Sequence, residues 1–165
     1  MWHQTNLQAE DQKHNDERFD KIFGLLESHE VPTQKIFFEG QIYDALSLLT
    51  ELVSQATSKI VLIDNYVSVD TLNILSKKGN GVEARIYTNP RTSLTDTDIK
   101  AFNAQYPSLE VFFTDAFHDR FLIIDDSIAY HVGASMKDAG KRGFAITKFN
   151  DFKRIEEILD ALNES

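Results

Sequence analysis

Three side chains able to do chemistry stand at fixed spacing late in the chain, in the run His118-Asp119-Arg120-Phe121-Leu122-Ile123-Ile124-Asp125. An imidazole can attack phosphorus or deliver a proton, and a guanidinium can hold nonbridging oxygens as negative charge builds on them. On an extended strand, residues two apart share a face, so His118 and Arg120 are expected to point the same way. That pairing suits a phosphate. Gly133-Ala134-Ser135 follows after a short gap and reads as a small-residue turn. Gly133 and Ser135 would line the pocket through backbone amides and a hydroxyl, with Lys137 and Lys141 adding positive charge. Asp125 lies at an odd offset from His118, which strict alternation puts on the opposite face. It joins the site if the chain bulges or turns before it, and otherwise serves as a hairpin-turn carboxylate bonding nearby amides.

Each of these residues also has a plain structural use. His118 can be an exposed histidine at the start of a strand. Arg120 can pair with Asp119 or Asp126, and Gly133 to Ser135 can be only a tight turn. His131, on the neighbouring strand, either approaches the site or is hydrogen-bonded within the sheet. Asp64-Asn65-Tyr66 ends an apolar strand, where ligands gather in α/β sheets. It either shapes access to the site or caps a helix starting near Val69.

Strands and helices alternate around this segment from residue 36 onward. Ile36–Phe38 reads as a short strand, and Glu39-Gly40 as the turn into a helix. Gln41–Ala56 carries Ile42, Ala45, Leu46, Leu49, Leu52 and Val53 at helical spacing. Lys59–Ile63 is a buried strand, because Ile60-Val61-Leu62-Ile63 is apolar without a break. A helix over Val69–Lys77 ends at Gly79-Asn80-Gly81. Val82–Tyr87 is a strand closed by Asn89-Pro90. Ser93–Gln105 is a helix with a serine cap and acidic residues in its first turn. Leu109–Phe113 is another strand. Phe117–Ile124 and Ile128–Val132 form a hairpin around Asp125-Asp126-Ser127. Phe144–Thr147 is the last strand and Asp151–Leu162 the last helix. Such alternation implies an α/β layered domain with a mixed β-sheet flanked by helices.

Residues 1–33 read as an N-terminal linker and helix, and residues 34–165 as the domain proper. Phe19, Ile22, Phe23 and Leu26 recur at three- and four-residue steps, and Val31-Pro32 ends that helix. Met1-Trp2-His3-Gln4 carries no fold signal and reads as the end of a linker within a longer protein.

A length of 165 residues suits one domain with a full core, and 42% hydrophobic with 26% charged residues is ordinary for a soluble globular chain. No apolar run is long enough to span a bilayer, so no membrane association is expected. The absence of cysteine removes disulfides and thiolate metal sites and fits a cytoplasmic protein. Net charge is −9, which argues against a broad nonspecific grip on nucleic acid. The charge is uneven. Residues 116–154 hold seven Lys and Arg against five Asp and Glu, a balance of +2, whereas residues 1–30 hold three against seven, a balance of −4. The basic stretch surrounds the phosphate-type residues, where local potential matters more than the total, or it is a solvated surface whose charges cluster by chance. No HExxH, no paired His/Asp spacing and no Cys cluster is present, so no metal is expected. No Walker loop or GxGxxG is present either, so no nucleotide cofactor is expected.

The spacing His118-x-Arg120-x-x-x-x-Asp125, followed by Gly133-Ala134-Ser135, resembles the signature of the phospholipase D superfamily. That signature is H-x-K-x-x-x-x-D and then a Gly-Ser-type turn usually ending in Asn. The likeness covers roughly residues 36–150. Arg120 stands where the family usually has lysine, and Met136, Lys137 and Asp138 follow Ser135 in place of the asparagine. The acidic residue often found further on has no counterpart in Gly143-Phe144-Ala145-Ile146.

The resemblance implies a metal-independent phosphodiesterase without cofactor, acting on nucleic acid sooner than on lipid. His118 would be the nucleophile, forming a phosphohistidine, with Arg120 as phosphate clamp and Asp125 as orienting group. Gly133, Ser135 and Lys137 would bind the substrate. The family builds one site from two motif copies. This chain has one copy, so the resemblance implies a homodimer with the two motifs facing across a two-fold axis. It also implies a position after a phage-type DNA-binding domain in a longer protein. The alternative is a catalytically degenerate dimerisation or phosphate-binding module with the same fold, which the Arg-for-Lys change, the missing asparagine and the acidic net charge suggest.

Overall fold

A computed structural model of the chain describes residues 33–164. The stripe Phe19 to Leu26 and the stop at Val31-Pro32 lie outside the described residues.

The central strand is β2 (Lys59–Ile63). Its four apolar residues Ile60, Val61, Leu62 and Ile63 are at most 2% exposed, as a strand covered on both faces requires. Ile60 and Leu62 enter one apolar cluster, Val61 and Ile63 a second, following the two-residue period of a strand. Around β2 lie β1 (Thr33–Phe37), β3 (Glu83–Thr88), β4 (Leu109–Phe113), β5 (Arg120–Ile124), β6 (Ile128–Val132) and β7 (Phe144–Phe149). They form one seven-stranded sheet in the order β1-β7-β6-β5-β2-β3-β4. β2, β3 and β4 run parallel, and every other pairing is antiparallel. The mixed α/β architecture expected from the alternation is therefore present.

One face of the sheet is covered by α1 (Ile42–Gln55), α2 (Val69–Leu75) and α3 (Asp96–Gln105). The other is covered, among the described residues, by α4 (Phe152–Glu164) through Ile155 and Leu162. Burying each of those two side chains contributes roughly 1.5–3 kcal/mol. The cap of α3 differs from the sequence expectation. α3 starts at Asp96, capped by Thr95, whose hydroxyl accepts from the Asp98 amide at 3.1 Å while Asp98 Oδ2 accepts from the Thr95 amide at 3.0 Å. That reciprocal pair satisfies two backbone donors, whereas Ser93 donates its hydroxyl to the Val67 carbonyl at 3.3 Å.

The β5–β6 turn ties the hairpin to the start of β2. Asp125 and Asp126 sit in the left-handed region (φ 54° and 55°), which aspartate tolerates better than most residues. This turn aims the Asp125 carboxylate at the start of β2. It accepts from the backbone amides of Thr57, Ser58 and Lys59 at 2.8–3.2 Å and from the hydroxyls of Thr57 and Ser58 at 3.0 and 2.9 Å. Partial burial alone would raise the Asp125 pKa. The amides of Lys59, Thr57 and Ser58 outweigh it and hold the carboxyl well below the usual carboxylate range.

A depressed folded-state pKa gives stabilisation that is complete above the unfolded value of about 4 and lost as pH falls through and below it. Asp125→Asn should therefore cost on the order of 2 kcal/mol at neutral pH. In urea denaturation, its gap from the unaltered protein should shrink as pH drops below about 4. A gap of constant size would contradict this role.

Candidate phosphodiester site

The C-terminal ends of β2 and β6 and the start of β5 meet at one edge of the sheet. Each supplies part of the site. His118 is exposed and lies in a bend before β5, not on a strand beginning at Phe117. The ladder stops because the last residue of β2, Ile63, pairs with Phe121, and the last of β6, Val132, pairs with Arg120. Strand alternation thus does not set the relation of His118 to Arg120. The bend is positioned by Asn65, whose side-chain amide donates to the Phe117 carbonyl at 3.0 Å.

Arg120 opens β5 half-buried. Its Nη2 donates to the Gly133 carbonyl at 3.1 Å, and Nε is buried without a partner among the described residues. The pairing with Asp119 or Asp126 does not form. Asp126 bonds Lys59 at 2.8 Å, and Asp119 stands 3.7 Å from His131 Nε2. Gly133 lets β6 and β7 close up. Its amide donates to the Ala145 carbonyl at 2.8 Å, and a Cβ there would lie 3.0 Å from that oxygen.

Ser135 is buried, and its hydroxyl points into the protein. It donates to Asp64 Oδ2 at 2.9 Å and lies 3.2 Å from the Tyr66 carbonyl. Asp64, 1% exposed, also accepts from the Met136 amide at 3.1 Å and from the Tyr66 amide at 2.9 Å. A buried carboxylate has to collect donors of this kind, and it takes the turn's hydroxyl and amide to do so. The capping role left open for Asp64 and Asn65 falls to Ser68, which forms a reciprocal cap with Thr71.

Lys137 reaches Asp138 at 2.9 Å and Lys141 reaches it at 3.2 Å. The Lys137 hydrogen bond, opposed by burial and aided by Lys141, holds the Asp138 carboxyl below its usual range. Gly140 (φ 85°) then seats the turn on the start of α1, where a Cβ would meet Ile42 Cα at 2.5 Å.

His118, Arg120 and Gly133 therefore lie at one edge of the sheet, and Ser135, two residues past Gly133, is buried against Asp64. Asp125 does not join them. It belongs to the opposite edge of the sheet, the length of β5 away. The organising residue that spacing did not reveal is Asp64. Its only signal in the sequence is a carboxylate directly after an unbroken apolar strand. Among the described residues, no three His, Asp or Glu side chains cluster to hold a metal ion. None of the helices described is long and apolar enough to cross a membrane.

No protein-family model and no curated protein matches the chain. Solved structures do. NucT from Helicobacter pylori superposes with a TM-score of 0.59 at 15% identity, covering 81% of this chain and 94% of its own. Nuc from Salmonella typhimurium, a phospholipase D family member, superposes with a TM-score of 0.59 at 20% identity, covering 81% and 93%. TrmBL2, an archaeal chromatin protein with a novel mode of DNA binding, matches with a TM-score of 0.50 at 16% identity, covering 94% of this chain and 62% of its own. The chain has the phospholipase D-like fold.

The Asp64 network makes a stability prediction. Asp64→Ala should strand three donors and cost roughly 3 kcal/mol, and Ser135→Ala roughly 1 kcal/mol, in chemical denaturation. A Ser135→Ala protein as stable as the unaltered one would mean that its hydroxyl is free for a ligand.

Proposed function

We propose that the domain is a metal-independent phosphodiesterase acting on nucleic acid, each chain contributing half of a site that a second copy completes. The observation that carries this reading is the exposed His118 next to Arg120 at a strand edge of a phospholipase D-like fold. The DNA-binding neighbour TrmBL2 supports a nucleic-acid substrate.

The chemistry follows from the side chains. A neutral His118 attacks phosphorus in line, forming an N–P bond as the P–O bond to the leaving group breaks. Both Arg120 guanidiniums hold the nonbridging oxygens as charge grows, since an arginine stays protonated and binds phosphate bidentately. Gly133 holds the Arg120 head by one nitrogen, which leaves other donors for the phosphate. The partner's His118, protonated, gives its proton to the leaving oxygen. Water then attacks the phosphohistidine, yielding a proton to that same imidazole and releasing His118.

A second reading, a dimeric phosphate-binding module without turnover, has a specific observation in its favour. Asp64 consumes the Ser135 hydroxyl and the Met136 amide, and Asp138 engages Lys137, so the turn offers a ligand few donors.

Hydrolysis of a generic aryl phosphodiester and of single- and double-stranded DNA in EDTA separates the two. The catalytic reading expects activity that survives chelation and falls by at least about 100-fold in His118→Ala. One imidazole must be neutral and the other protonated, so the rate should pass through a maximum with pH. A rate that only rises across the neutral range would contradict it. A silent protein that gains activity on Arg120→Lys would establish the second reading.

A further inference from the structure

On the α4 face of the sheet an aromatic groove starts beside the candidate site. Its cavity is about 590 Å³ and is lined by Phe117, Phe121, His131 and Phe149 from the sheet side, with Ile158 on the helix side. Phe121 lies at its centre. The rings of Phe117, His131 and Phe149 stand edge-on to it at centroid distances of 5.8, 5.3 and 6.4 Å. The α4 wall also carries a donor and an acceptor, Arg154 and Glu157, both exposed.

Two links tie this groove to the phosphate residues. Phe117 immediately precedes His118, and its carbonyl is held by Asn65 at the end of β2. Phe121 immediately follows Arg120, and strand alternation turns it to the opposite face. A ligand whose phosphate lies at His118 and Arg120 thus meets Phe117 as soon as it rounds the strand edge. A flat ring with polar edges fits such walls. The aromatic side chains take its faces, while Arg154 and Glu157 can take its edges. An acyl chain would make no use of the polar groups that Arg154 and Glu157 place along the groove.

We propose that this groove binds a nucleobase next to the phosphodiester, so that the domain takes nucleic acid with that base unstacked. The inference rests on the phosphodiester reading for its substrate but not on catalysis, because stacking is read by binding alone.

The test is fluorescence anisotropy in EDTA with a short labelled single strand and an abasic strand of the same length, using the full chain. Stacking of one base, roughly 1–3 kcal/mol, should make the base-bearing strand bind about 5- to 150-fold tighter. Phe121→Leu should cut that preference at least about threefold, and Arg154→Ala, on an exposed side chain that leaves folding intact, should reduce it too. Equal affinity for the two strands, or no binding of either, would overturn the inference, as would tighter binding to phosphatidylcholine vesicles than to both strands. Hydrolysis of the base-free aryl diester is measured alongside. Hydrolysis with equal strand affinities removes the groove and keeps the phosphodiesterase. A base preference without hydrolysis does the reverse.

Discussion

A strand buried on both faces is held in place only if the polar groups at its two ends find partners, and here two carboxylates provide them. Asp125, from the β5–β6 turn, grips the backbone at the start of β2. Asp64, at the end of β2, grips the turn that follows β6. The hairpin is thus tied to the central strand at both ends, one tie from each partner. Apolar contacts set the depth of the core, but they are not directional. The two aspartates fix the register of the hairpin against β2 and with it the place of every residue at the site edge.

That arrangement decides which residues remain for chemistry. Ser135 and the Met136 amide are spent on Asp64, and Asp125 is spent on Thr57 to Lys59. The lysines beyond the turn are drawn to Asp138. What is left is His118, exposed in a bend that no ladder constrains, and the half-buried Arg120, its head steadied by the Gly133 carbonyl. An imidazole beside a guanidinium is the minimum that phosphoryl transfer through histidine needs, but it supplies only one proton-transfer group. In the proposed mechanism the second imidazole comes from another copy, which makes the proposed site half a site.

Much of this was legible in the sequence where a single physical rule dominates. The unbroken apolar run Ile60 to Ile63 marked a strand covered on both faces, and the stripe from Ile42 to Val53 marked α1. The spacing from His118 to Asp125 pointed to the fold that the structural comparisons show. The reading was weaker where several rules compete. Thr95 and Ser93 are both good caps, and only the reciprocal bond with Asp98 selects the first. Strand propensity at Phe117 did not reveal that both neighbouring strands had already ended. The inward turn of Ser135 depends on Asp64, 71 residues earlier, a distance that no local pattern encodes.

The central claim is that two chains share one site, and a mixing experiment tests it most directly. Unaltered protein and His118→Ala protein are co-refolded in varying proportion at fixed total concentration, and hydrolysis of an aryl phosphodiester is measured. A site that needs an imidazole from each of two chains predicts activity falling as the square of the unaltered fraction. Activity in simple proportion to that fraction would mean that each chain works alone, and would contradict the account.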